Sequence, residues 1–287
     1  MENHKSNIKI VVDSTGYLDK SFLEENDIGV VPVKIFIDGK DYKENEDISV
    51  NELYNYLATS KELPKTSQPS IQDFFKVYKP EVEKGKKILS IHISEKVSGT
   101  INAAKMAIND LKTNAVKVID SKATIFSIRF LAEHAVKLIK EGLNFEEIAN
   151  STEKLVLRLF NRFILSDIKY LEASGRINKS EALFGSVLNI KPIMSFSNGV
   201  IKLNGVARGW MRAKESLEKF VESIYRTNGI EKIGVMYGKN IEEATDLINK
   251  IENLVKIKAD LIQVGAAIGN YAGTVWLGVG IQAEQNV

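Results

Sequence analysis

The sequence predicts a two-domain α/β chain. Through the first half, short runs of β-branched and aliphatic residues alternate with segments of helical period. In the second half Asn198-Gly199 separates two apolar runs, a hairpin signal that introduces antiparallel pairing. The length, 287 residues, is enough for two ordinary domains.

The elements follow in order. Residues 8–12 read as a buried strand, and residues 19–26 as a helix with Gly29 beyond its end. Residues 30–37 are rich in β-branched types and run into Asp38-Gly39, a hairpin turn pair. Helices are predicted at 50–59 and 71–79, the second with Ser70 three residues before Asp73 in a near capping-box pattern. Strand 87–93, helix 99–111, strand 116–119 and helix 124–140 complete this half. Strands joined through helices imply crossovers and a largely parallel, Rossmann-like sheet with flanking helices. Residues 146–157 read as a helix and 160–165 as a strand. Strands 190–196 and 200–203 flank the hairpin, helix 210–225 follows, and strand 232–236, helix 241–255, strand 258–263 and strand 274–281 close the chain. The expected division is an N-terminal α/β domain over 1–157 and a C-terminal α/β domain with a mixed or antiparallel sheet over 158–287.

Composition narrows the function. Hydrophobic residues make up 44% and charged residues 26%, the profile of a soluble globular chain. A net charge of +2 does not favour bulk nucleic-acid binding. The absence of cysteine excludes disulfides, thiolate nucleophiles and Cys-ligated metals. His4, His92 and His134 lie too far apart in sequence for a metal-ligand spacing. Residues 1–10 lack the apolar core of a signal peptide, and no stretch approaches the ~20 apolar residues of a membrane span. A cytoplasmic protein without stable membrane insertion is the expectation.

Two short motifs carry the chemistry. Thr66-Ser67-Gln68-Pro69-Ser70 precedes one predicted helix, and Ser98-Gly99-Thr100 follows a strand and opens another. Hydroxyls beside free backbone N–H groups suit a small anionic head group. Pro64 and Pro69 stiffen the segment around Thr66. Ser98 reads as an N-cap, and Gly99 leaves room for close approach to the backbone. Each also has a plainer reading, a helix lead-in and a cap. Arg176 and Arg208 suit carboxylate or phosphate recognition, although taken alone they read first as solvated surface arginines. The small-residue string 265–273 allows either a turn or close backbone packing. His92, in an apolar strand, reads as a core histidine before it reads as a base.

The ordered set of motifs resembles the DegV family of fatty-acid-binding proteins along nearly the whole chain. The matching pieces are Val12-Asp13-Ser14-Thr15, Val31-Pro32, Thr66-Ser67-Gln68-Pro69, Ile91-His92-Ile93-Ser94 and Ser98-Gly99-Thr100. They continue with Val118-Ile119-Asp120-Ser121, Tyr170-Leu171-Glu172 through Gly175-Arg176-Ile177, and Leu188-Asn189-Ile190-Lys191-Pro192-Ile193. The resemblance implies a two-domain α/β protein that holds one long-chain fatty acid, with no cofactor and no catalysis of its own. It places the carboxylate at Thr66 and Ser98, beside Gly99, and the tail in an apolar tunnel. It further implies presentation of that carboxylate to a separate fatty acid kinase, which makes an acyl phosphate and feeds phospholipid metabolism. Arg176 and Arg208 would then lie at the pocket mouth or in the kinase encounter. The chain departs from the family pattern where Tyr271 replaces a histidine, where 125–128 is bulky rather than small, and where Trp210 replaces an arginine. Tyrosine at 271 implies head-group recognition through a neutral hydroxyl donor. The alternatives are an acyl hydrolase with Ser98 as nucleophile and His92 as its base, or a phosphotransferase subunit for another small metabolite.

Overall fold

The computed structural model describes residues 7–43, 47–60, 63–177 and 189–285. In chain order its elements begin β1 (Ile8–Asp13), α1 (Lys20–Glu25), β2 (Gly29–Val31), β3 (Lys34–Ile37), β4 (Lys40–Lys43), α2 (Val50–Thr59) and β5 (Lys65–Ser67). Next come α3 (Ile71–Glu83), β6 (Lys87–His92), α4 (Thr100–Leu111), β7 (Val116–Asp120), α5 (Phe126–Lys140), α6 (Phe145–Leu155) and β8 (Leu159–Leu165). The chain ends with α7 (Lys169–Ser174), β9 (Ile190–Ser197), β10 (Val200–Arg208), α8 (Trp210–Asn228), β11 (Lys232–Tyr237), α9 (Ile241–Val255), β12 (Asp260–Gln263), α10 (Ala266–Ala272) and β13 (Trp276–Gln282). They form two compact units, Met1–Val33 with Ser67–Leu157, and Lys34–Thr66 with Arg158–Val287.

The first unit is built on a parallel sheet of order β2-β1-β6-β7. Ile10, Val11 and Val12 are consecutive and all buried, as a sheet covered on both faces requires. Val11, Val31 and Ile88 pack with Phe74 and Tyr78 of α3 and with Ala103, Ala104 and Ala107 of α4. The alanines let α4 lie close to the sheet. The alternate residues Leu89 and Ile91 are equally buried, and α5 packs on β1 and β6. Helix α3 starts where its sequence says it should. Ser70 Oγ accepts from Asp73 N at 3.2 Å, and Asp73 Oδ2 accepts from Ser70 N at 2.9 Å. This capping box satisfies two otherwise unpaired donors.

The second unit has a six-stranded sheet of order β10-β9-β8-β13-β11-β12. All neighbours are antiparallel except β11 and β12. Asn198 at φ 50° and Gly199 at φ 86° make the β9–β10 turn, the double positive φ that Asn-Gly tolerates. Helices α8 and α9 bury Ala213, Leu217, Val221, Ala244, Leu247 and Ile251 against Ile164, Val235, Leu277 and Val279 of the sheet. A smaller sheet, β4-β3-β5, carries Ile35 and Ile37 onto Leu53, Tyr54 and Leu57 of α2.

The mixed α/β architecture agrees with the sequence, and several details differ. The single strand expected over 30–37 is two strands in different sheets. Pro32 lies between them and has no N–H to continue a ladder. The expected linear division at 157/158 keeps 34–66 with the N-terminal half, whereas this segment packs with the C-terminal one. Strand β5 and helices α7 and α10 were not expected. Helix α5 starts two residues later than the pattern suggests, after Ile125 at φ 52°.

Candidate functional site

In the second unit, strand β5 presents Thr66 and helix α10 presents Tyr271, and their hydroxyls are hydrogen-bonded. The small-residue string 265–273 explains how this helix fits. A Cβ on Gly269 would stand 2.7 Å from the Tyr54 hydroxyl, and one on Gly273 would stand 2.7 Å from the Tyr170 ring. Gly273 also ends the helix at φ 80°, a conformation natural only to glycine. Tyr54 is fully buried and donates to the Val264 carbonyl at 2.9 Å, which anchors the chain just before α10. The string is thus a short helix rather than a plain turn, and Gly269 within it and Gly273 at its end allow the close packing on the backbone that the small residues suggested.

Thr66 and Tyr271 line a cavity of about 370 Å³ together with Tyr170, Arg176 and Asn270. The Arg176 guanidinium lies 5.1 Å from the centre of the Tyr271 ring, within cation–π range. It is also tied to the Ser174 carbonyl. Lys169 stands 5.0 Å from the Tyr170 ring centre, and its hydrogen bond to Asp167 holds its pKa above the ordinary lysine range. The cavity therefore offers two hydroxyls and a fixed cation, a chemistry suited to a carboxylate. Asn270 went unnoticed in the sequence, although it directly precedes Tyr271. It is 4% exposed, its amide donates to the Pro64 carbonyl, and its Oδ1 is buried with no partner among the described residues. Arg208 does not line this cavity; it is exposed at the end of β10, opposite Ile190. The indole N–H of Trp210 donates to Glu243 at 2.7 Å.

In the first unit, Ser98 and Gly99 sit between β6 and α4. The sequence suggests Ser98 as the N-cap, but Gly99 occupies the cap position and no side chain caps the helix. Ser98 Oγ instead accepts from Thr100 N at 3.3 Å and shares a hydrogen bond of 2.8 Å with Thr100 Oγ1. The reason is geometric: helical residues start at Thr100, so a serine two positions earlier makes a local turn rather than a cap. Any Cβ at Gly99 would collide with the side-chain amide of Gln68. The hydroxyl motif around residue 98 and the Gln68 end of the first motif are therefore in contact.

His92 is fully buried, with Nε2 2.7 Å from Ser90 Oγ and Nδ1 3.1 Å from Asp13 Oδ2. Both nitrogens are engaged, so it offers Ser98 no base. This removes the geometric support for an acyl hydrolase. Among the described residues there is no cluster of three His, Cys, Asp or Glu that could hold a metal. No described helix is long and apolar enough to cross a membrane.

Comparison with known proteins gives a consistent result. The family model described as "Uncharacterised protein, DegV family" matches residues 7–284. A DegV domain-containing protein of Staphylococcus aureus (strain N315) is 34% identical over 244 residues, 85% of this chain and 86% of that protein. Among solved structures, a stearic acid-binding protein from Eubacterium ventriosum superimposes with a TM-score of 0.88 at 27% identity, covering 96% of this chain and 98% of the other. DegV of Bacillus subtilis, a fatty acid binding protein, gives 0.86 at 28% identity, covering 96% and 99%.

Proposed function

Because the chain belongs to the DegV family, we propose that it binds one long-chain fatty acid and has no catalysis of its own. The observation that carries this reading is the cavity in which Thr66, Tyr271 and Arg176 meet. The fatty-acid-binding neighbours supply the ligand class. Thr66 and Ser98 take the carboxylate, with Gly99 beside Ser98 and Tyr271 as a neutral hydroxyl beside Thr66. The tail takes an apolar tunnel. A ~16-carbon chain at ~0.8 kcal/mol per buried CH₂ contributes roughly 11 kcal/mol before the costs of association. Hydrogen bonds to the carboxylate add ~1.5–3 kcal/mol each. The tail thus sets affinity, and the polar residues set orientation and head-group choice.

Mass spectrometry of ligand extracted from native protein tests the reading. A long-chain fatty acid is the expected result; a phosphorylated metabolite would replace this proposal with a phosphotransferase subunit. The proposal extends to a kinase partner in the cytoplasm that phosphorylates the presented carboxylate. Exposed Arg208 is assigned to that encounter, where charge steers association. With a cognate fatty acid kinase, Arg208→Ala should lower the rate of acyl-phosphate formation at limiting protein and leave fatty-acid affinity unchanged. An unchanged rate removes Arg208 from the interface.

A further inference from the structure

A chain of four polar side chains crosses the interior of the first unit. Tyr78, Ser90, His92 and Asp13 are each 0% exposed. Tyr78 Oη lies 2.6 Å from Ser90 Oγ, Ser90 Oγ 2.7 Å from His92 Nε2, and His92 Nδ1 3.1 Å from Asp13 Oδ2. Asp13 accepts three more bonds: from Thr15 N at 3.0 Å, Thr15 Oγ1 at 2.5 Å and Ile93 N at 2.8 Å. A carboxylate this deep is tolerated only with its lone pairs met by donors, and here four donors meet them.

The proton positions follow from counting donors. Burial pushes the Tyr78 phenol well above its ordinary ionisation range, so it keeps its proton. Its hydrogen-bond partner is the Ser90 hydroxyl. Tyr78 therefore donates to Ser90, Ser90 donates to His92 Nε2, and the imidazole proton sits on Nδ1 facing Asp13. Every donor in the chain is then used. The Phe74 ring stands edge-on to His92, centroids 5.1 Å apart at 86°, and holds the ring plane.

This chain gathers the segments that bear the hydroxyl motifs. Asp13 ends β1 and Thr15 lies in the turn that follows it. Ile93 opens the loop that runs through Ser94 to Ser98 and Gly99. Phe74 and Tyr78 belong to α3, whose lead-in carries Gln68 against Gly99. Further backbone bonds brace the same loop, from Ser94 N to the Ala123 carbonyl at 2.9 Å and from Ser121 N to the His92 carbonyl at 3.0 Å.

We propose that the Asp13–His92 pair positions the Ser98–Gly99 loop for head-group binding, acting through the Ile93 amide. The ligand side of this inference rests on the fatty-acid reading above. Two substitutions separate it from a packing role. Asparagine at 92 places its amide nitrogen where Nδ1 lies and keeps the donor to Asp13. Glutamine at 92 reaches toward Ser90 and gives that donor up.

In His92→Gln, amide hydrogen exchange over residues 94–100 should rise tenfold or more, and discrimination between a fatty acid and its methyl ester should fall by a similar factor. In His92→Asn both should stay within about threefold of the native protein. Equal behaviour of the two variants, or exchange that simply follows a common loss in thermal midpoint, overturns the proposal. Exchange needs no ligand. A native protein that holds no fatty acid would therefore remove the function proposed above while the exchange comparison still decides the positioning role. If neither variant folds, the nitrogen chemical shifts of His92 in the native protein decide. A proton on Nδ1 is expected, and a proton on Nε2 would break the bond to Asp13 and with it the proposal.

Discussion

Replacing Thr66 and Ser98 together by alanine is expected to weaken fatty-acid binding by roughly 10²- to 10⁴-fold, the loss of two hydrogen bonds to a charged group at ~1.5–3 kcal/mol each. The methyl ester, which presents no charge to these hydroxyls, should bind the variant and the native protein alike. The ratio of acid to ester affinity, read by calorimetric titration, is therefore the decisive quantity. Thr66→Ala alone also strips Tyr271 of the hydroxyl it is bonded to, so the single variants need not sum to the double one. An unchanged acid-to-ester ratio in the double variant would remove both residues from the head-group site.

A large effect on stability is expected at Phe74. Its ring is 0% exposed, packs with Val11, Val31, Tyr78 and Ile88, and stands against His92. Phe74→Ala should cost about 3–5 kcal/mol, through lost burial and the cavity left behind. Phe74→Leu keeps most of the volume and should cost less. Urea unfolding of the two variants checks the order and the size. Near-native stability in Phe74→Ala would show that α3 rests on other contacts.

Local chemistry was legible in the sequence. Asn198-Gly199 and Asp38-Gly39 each form a turn with positive φ at both residues, because few other pairs reach that backbone region without strain. The Ser70–Asp73 capping box was readable because its partners are three residues apart. Alternating strands and helices in the first half announced the parallel sheet for the same reason, since each crossover is local. Long-range pairing was not legible. Nothing in 276–282 says that β13 inserts between β8 and β11, because the apolar pattern of a central strand does not name its neighbours. Residues 34–66 likewise carry no local mark of the unit they join. Of the residues singled out in the sequence, Thr66, Tyr271 and Arg176 line one cavity. Asn270 was missed because its burial depends on the Pro64 carbonyl, 206 positions away.

That segment also imposes an order on synthesis. Ile35, Leu53, Tyr54 and Leu57 leave the ribosome early, yet the Tyr54 hydroxyl finds its acceptor at Val264, 210 residues later. At ~5–20 residues per second the interval is about 10–40 s. For that time a nascent hairpin and one helix must keep their apolar faces from other chains with only each other for cover. The parallel sheet, by contrast, has all its strands once β7 has emerged. The chain thus carries an early-maturing half that interrupts a late-maturing one, and the window of vulnerability to aggregation or chaperone capture belongs to residues 34–66.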